Sequence, residues 1–487
     1  MHEQLCFAEE MCLKTIKICD VMTNSGVAFG TSGARGLVSQ MTDEVCAAYA
    51  LAFLSVVRLA FSTTRIALGM DLRPSSPRIV NACTQALREH GIEVDFCGAL
   101  PTPALALYAQ SECIPAIMVT GSHIPFDRNG IKFYRPDGEI TKADEAAIST
   151  AVVEINRVRG DLPEINHVAT DQFIRRYLDF FPPRHFAGLH LGIYEHSSVA
   201  RDALHRILEG LGARVTSLGR TEEFVPIDTE AVAEADILRG KAWAEEYHFD
   251  AIISTDGDGD RPLISDETGA WLRGDMVGLI CASYLKADKV VVPVSCNTAI
   301  ELCGMFSTVL RTRIGSPYVI AGMQELDSGN DDKIVGFEAN GGFLVGSGFM
   351  REGRLLTALP TRDAVLPALA VLAAARDRKC TISDLMQHFP ARFTASDRLQ
   401  NYPVEHSREL ILKLKDDADA LRHYLAPDRA KPVASNTTDG LRITFDNGEI
   451  VHLRPSGNAP ELRCYCEASS LELAVQQVQT VLDKIRI

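Results

Sequence analysis

No run in this sequence approaches the ~18 consecutive apolar residues that a membrane-spanning helix needs. The opening residues, MHEQLCFAEEMCLKTIKICD, lack the basic start and apolar core of an export signal. Paired CxxC spacing is absent as well: the 13 cysteines are scattered, and the tightest pair, Cys464 and Cys466, is a CxC whose side chains share one face of an expected strand. Scattered thiols of this kind suit a reducing compartment, so a cytoplasmic location is expected. Positive charge is in deficit, with 49 Lys and Arg against 64 Asp and Glu and a net charge of -15. That balance argues against a general nucleic-acid binder, and neither nucleic acid nor membrane is expected as a partner. A small anionic substrate is compatible with it, because a site can be locally basic.

What is present reads as a globular protein: 46% of residues are hydrophobic and 23% charged. A chain of 487 residues exceeds one core and implies roughly three or four domains. Residues 1–24 form an extension with a partly helical period. A strand–helix alternation then occupies 25–158: a helix capped by Thr42, strands at 65–69, 92–96 and 116–119, and helices between them. The same pattern recurs over 159–268 and 269–383, with strands at 189–194, 214–218 and 251–254, then 289–294, 308–312 and 333–337. Residues 384–487 differ, with a charged helix at 406–424, a hairpin turning at Asn447-Gly448, and a last helix opened by Ser469-Ser470-Leu471-Glu472. The expected class is α/β: three similar βαβ-type domains followed by a C-terminal α+β domain.

Polar loops at strand ends carry the chemistry. The run Ala116–Val119 stops at Thr120-Gly121-Ser122-His123 and passes through Asn129-Gly130 to Lys132. Ligands bind at the carboxyl ends of strands in such sheets, so this serine is placed for chemistry, although its hydroxyl needs activation or a metal. In Thr255-Asp256-Gly257-Asp258-Gly259-Asp260-Arg261, three carboxylates at alternate positions converge on one hard divalent cation. An EF-hand loop is the rival, with Glu267 at its twelfth position; Arg261 where glycine is needed and strand-like flanks count against it. Together, Ser122 and the triplet suggest a serine oxygen, or a phosphoryl group on it, completing the coordination of Mg²⁺, with Arg261 steadying the same group. FGTSGARG offers a glycine-rich turn with Arg35. Gly336–Gly342 sets Glu338 and Asn340 on a strand-end loop suited to sugar hydroxyls. Arg454-Pro455-Ser456-Gly457-Asn458-Ala459-Pro460 reads as a phosphate cradle.

TGSHIP with NGIKFY, TDGDGDR, GFEANGG and RPSGNAPELR stand in order, supported by FGTSGARG and MDLRPSS, and from about Val27 to the end the chain resembles the α-D-phosphohexomutases, of phosphomannomutase/phosphoglucomutase type. The resemblance implies a phosphoserine at Ser122 and Mg²⁺ held by Asp256, Asp258, Asp260 and the serine. It implies sugar contacts from Glu338 and Asn340, and a non-reacting phosphate held by Arg454, Ser456, Gly457 and Asn458. Arg35, His123, Lys132 and Arg261 would surround the reacting phosphate, with Lys132 as general base. Ile124, Asn340 and Ala459 or its neighbour stand where the family commonly has asparagine, serine and threonine. The implied reaction moves a phosphoryl group between O6 and O1 of a hexose through a 1,6-bisphosphate, which also serves as activator, in a central cleft. Mannose phosphate is the favoured substrate, ahead of glucose or glucosamine phosphate. A Mg²⁺-dependent serine phosphatase and a calcium-binding structural protein are the more distant alternatives.

Overall fold

The computed structural model describes residues 14–30, 33–155, 160–329, 331–427, 430–456 and 460–486. They form two compact units, one of residues up to 29 together with 33–172, the other of 173 onward with Gly30.

The first unit is built on one mixed sheet. The strand Arg65–Met70 lies between two parallel neighbours, Glu93–Ala99 and Ala116–Val119; the latter then turns into Arg128–Arg135, which runs antiparallel to it. Helices Asp43–Val57, Ser76–Glu89 and Thr102–Glu112 make the connections. The first of these starts at Thr42, whose hydroxyl accepts from the Val45 amide at 3.3 Å. This is the cap the sequence pattern calls for.

The second unit repeats the plan twice. His190–Tyr194 is flanked in parallel by Arg214–Leu218 and Ala251–Thr255, and the latter turns into the antiparallel strand Pro262–Ile264. Lys289–Pro293 is flanked by Thr308–Thr312 and Ile334–Phe337, and the latter turns into Phe343–Val345. Each sheet thus ends its parallel part on a strand that reverses through a tight turn. Those three turns hold Ser122, the aspartate triplet, and Glu338 with Asn340.

The C-terminal sheet is antiparallel throughout, in the order Phe393–Gln400, Glu461–Ala468, Ile450–Pro455, Leu441–Phe445, Pro432–Asn436, and packs against Leu471–Arg486. Its hairpin turns at Gly448, where φ is +79°, and the Gly448 amide reaches the Phe445 carbonyl at 2.9 Å. The sulfurs of Cys464 and Cys466 sit 3.9 Å apart on one face.

Two local expectations are revised. Within residues 1–24, the helix occupies only Ile18–Ser25 among the described residues, while Lys14–Lys17 is a strand paired with Val152–Ile155. Only Ile16 of that strand is buried. Residues 1–13 lie outside the described residues. The charged C-terminal helix is two helices, Val404–Asp416 and Ala418–Leu425. The break falls at Asp417, whose carboxylate accepts from the Asp419 and Ala420 amides at 2.9 Å each and so caps a new start. Among the described residues no helix is long and apolar enough to cross a membrane.

Candidate active site

Ser122 is fully buried and has φ of +53°. A non-glycine residue held there costs on the order of 1–3 kcal/mol and persists only where its surroundings fix it. The fixing group is Arg73, whose side chain is also buried. Its guanidinium donates to the carbonyls of Ser122 (2.9 Å), Ile124 (2.6 Å), Pro125 (2.7 Å) and Arg128 (2.9 Å). Its Nε donates to Asp71 Oδ2 at 3.1 Å, and the same oxygen accepts from the Gly121 amide at 3.2 Å. The loop is wrapped so closely that a Cβ on Gly121 would meet the guanidinium carbon at 2.5 Å. Burial pushes the Asp71 carboxyl up, with Arg73 pulling against it.

Three further expected residues belong to this unit. His123 Nδ1 lies 3.3 Å from Ser122 Oγ. Lys132 is buried on Arg128–Arg135, opposite Met118 and so beside the strand that delivers the serine. Arg35 lies on Ala34–Leu37, opposite Gly130. Gly33, at φ +75°, approaches that strand so closely that a Cβ would sit 2.4 Å from the Ile131 carbonyl oxygen, which explains a glycine there.

In the second unit, Asp256, Asp258 and Asp260 are buried, and one carboxylate oxygen from each lies within 4.8 Å of the other two. Gly259, at φ +70°, permits the reversal, and Asp256 Oδ1 accepts from the Asp260 and Arg261 amides at 3.2 Å each. An all-oxygen set of this size matches a hard divalent cation, and three convergent buried carboxylates without one are costly. Arg261 Nε lies 3.6 Å from Asp260 Oδ1 and 3.9 Å from Asp256 Oδ2. The loop links two antiparallel strands, and Glu267 accepts from Ser383 instead of turning toward the triplet. Both observations rule out an EF-hand.

Glu338 and Asn340 are buried in the third turn. Asn340 Oδ1 accepts from the Gly342 amide at 2.9 Å, and its carbonyl from Thr229 Oγ1 at 2.7 Å. Glu338 Oε2 accepts from Arg362 Nη1 at 3.1 Å. In the C-terminal domain, Arg454 Nε lies 2.9 Å from Asp439 Oδ2, and the Ser456 amide reaches the Glu461 carbonyl at 2.8 Å. Gly457 and Asn458 lie outside the described residues.

Sequence reasoning missed the residues that hold these loops. Arg73 lies inside MDLRPSS, where the sequence assigns it no role. Arg362 carried no local signal, since its partner Asp260 is 102 positions away. The loop Glu195–Ser198 underpins the aspartate turn: His196 Nε2 pairs with the Thr255 carbonyl at 2.8 Å, and Ser198 Oγ with Thr255 Oγ1 at 2.6 Å. Burial holds His196 neutral, lowering its pKa to about 4.

Comparison with known proteins bears on all of this. Residues 26–159 match the phosphoglucomutase/phosphomannomutase alpha/beta/alpha domain I, 273–393 its domain III, and 409–484 its C-terminal domain. A phosphomannomutase of Salmonella muenchen is 53% identical, over 96% of this chain and 97% of its own. One from Sinorhizobium fredii is 46% identical, over 92% and 96%. A phosphoglucomutase/phosphomannomutase family protein of Burkholderia thailandensis shares the fold at a TM-score of 0.71 and 21% identity, over 94% of this chain and 96% of its own. Three domain models met in order, and relatives alike across nearly their whole length, establish that the chain belongs to the phosphoglucomutase/phosphomannomutase family.

Proposed function

We propose that this enzyme interconverts mannose 6-phosphate and mannose 1-phosphate through a phosphoserine at Ser122 and a mannose 1,6-bisphosphate intermediate. The sugar is inferred from the two relatives named phosphomannomutase. The observation that carries the chemistry is the buried Asp256, Asp258, Asp260 triplet, whose donors suit Mg²⁺. When bound there, with an oxygen carried on Ser122 as a further ligand, Mg²⁺ would neutralise charge on the transferring phosphoryl group.

The remaining roles follow from ordinary phosphoryl-transfer chemistry, in which positioning and charge neutralisation do most of the work. The bond from phosphorus to Ser122 Oγ breaks as a bond to the free sugar hydroxyl forms, and Lys132, in its neutral form, accepts the hydroxyl proton. After the bisphosphate turns over, its other phosphoryl group returns to Ser122 and Lys132 gives the proton back. Arg35, His123 and Arg261 hold the reacting phosphate. Glu338 and Asn340 read the sugar hydroxyls, and Arg454, Ser456, Gly457 and Asn458 hold the phosphate that is not reacting. Hexose 1,6-bisphosphate primes the serine, and the cytoplasm is the proposed location.

A coupled assay on mannose, glucose and glucosamine 1-phosphates, with Mg²⁺ and bisphosphate present, tests the reading. The expected result is the highest kcat/KM on mannose 1-phosphate. Preference for either other sugar would overturn the substrate, and release of inorganic phosphate in place of isomerisation would point to a phosphatase.

A further inference from the structure

The side chain of Arg362 joins two loops that the proposed mechanism treats separately. It lies on the strand Leu359–Asp363 and is 3% exposed. Its Nε and Nη2 both donate to Asp260 Oδ2, at 3.1 and 2.8 Å, while its Nη1 donates to Glu338 Oε2 at 3.1 Å. One planar fork therefore spans a carboxylate of the metal triplet and the carboxylate of the sugar loop. Lysine, a point charge on a flexible stem, does not reproduce that geometry.

The surroundings are shaped for this side chain. A Cβ on Gly342 would meet Arg362 Cδ at 2.5 Å and Cγ at 2.8 Å, so the second glycine of EANGG gives the stem its passage. The next residue, Asp363, anchors the strand end. Its Oδ2 accepts from Tyr177 Oη at 2.6 Å, and its Oδ1 from the Val365 amide at 2.8 Å. Asp260 Oδ2 is thereby committed to Arg362. Four carboxylates, those of Asp256, Asp258, Asp260 and Glu338, stand with two guanidiniums, Arg261 and Arg362.

We propose that Arg362 is a positioning residue that couples occupancy of the metal triplet to recognition of the hexose by Glu338. This rests on the metal and sugar roles proposed above. A cation drawing on Asp260 weakens that residue's hold on the guanidinium, which then bonds Glu338 more strongly and fixes its free oxygen for the sugar. Coupling between two binding events is reciprocal, so hexose phosphate tightens the metal by the same factor.

Calorimetry on the unphosphorylated enzyme, which lacks the phosphoryl group needed for turnover, tests this. Mn²⁺ affinity is measured with and without saturating mannose 1-phosphate, in the wild type, Arg362→Lys and Glu338→Gln. In the wild type, the sugar phosphate should tighten Mn²⁺ about five-fold or more, and both variants should lose most of that factor. A factor unchanged in the variants would assign the coupling to direct phosphate–metal attraction and overturn the proposal. If Arg362→Lys fails to fold, Glu338→Gln tests the same bridge from its other end. Asp258→Asn separates the two levels: wild-type Mn²⁺ binding in that variant would overturn the metal site itself. Loss of binding there, with coupling intact in the bridge variants, would overturn only the role of Arg362.

Discussion

The serine turn and the aspartate turn occupy the same place in two repeats of one topology, yet they are organised around opposite charges. The serine turn closes over a cation of the protein's own, Arg73, which takes four backbone carbonyls and is itself answered by Asp71. The aspartate turn collects three buried carboxylates, with Arg261 and Arg362 reaching them from the side. A loop closed on a built-in cation keeps one strained shape; a loop that gathers carboxylates is organised for a cation from solution. The first suits a covalent carrier, which must not wander, and the second a metal site.

That contrast is open to four tests, in falling order of expected effect. Ser122→Ala should abolish detectable mutase turnover even with bisphosphate supplied, while Mn²⁺ binding to the aspartate turn is weakened and not lost; normal turnover would remove the serine from the chemistry. Exhaustive chelation should stop the wild-type enzyme and added Mg²⁺ restore it, and full activity without metal would contradict the reading of the triplet. Arg73→Met takes the cation out of the serine turn and leaves Asp71 buried without its partner, which should cost about 3–5 kcal/mol in denaturant unfolding. Arg73→Lys should fall between the two, because it keeps the charge and loses the fork. Equal stability of all three proteins would mean that the loop does not depend on the guanidinium.

The smallest effect is in acid. His196 and His452 are buried and have pKa values lowered to about 4, from 6.5 when exposed. Between those values the unfolded chain binds protons that the folded one does not, so stability should fall as pH drops from 6.5 toward 4. The slope should be about 1.4 kcal/mol per pH unit for each histidine. Replacing either residue with glutamine should flatten the unfolding profile over that range, and an unchanged slope would show that carboxylates dominate it.

The strand–helix alternation, the Thr42 cap, the Asn447-Gly448 hairpin and the aspartate triplet were all legible in the sequence, because each rests on residues within a few positions of one another. Less legible were elements decided by partners. Lys14–Lys17 became a strand because Val152–Ile155 offers it an edge, and the 406–424 helix broke where Asp417 found two amides to cap. The serine, the triplet and Glu338 could be named in advance; the side chains that aim them could not.

What the sequence by itself determined is therefore the inventory: three strand-end turns carrying Ser122, the Asp256, Asp258, Asp260 triplet and Glu338, and a C-terminal RPSGNAP segment. Only the tertiary structure decided that Arg73 bonds four carbonyls of the serine turn, and that Arg362 joins Asp260 to Glu338 across 102 and 24 positions. The reason is physical. Local order follows from torsional preference and short-range hydrogen bonds, which a stretch of chain carries within itself, whereas a buried guanidinium takes whatever carboxylates and carbonyls the packed sheets bring within about 3 Å.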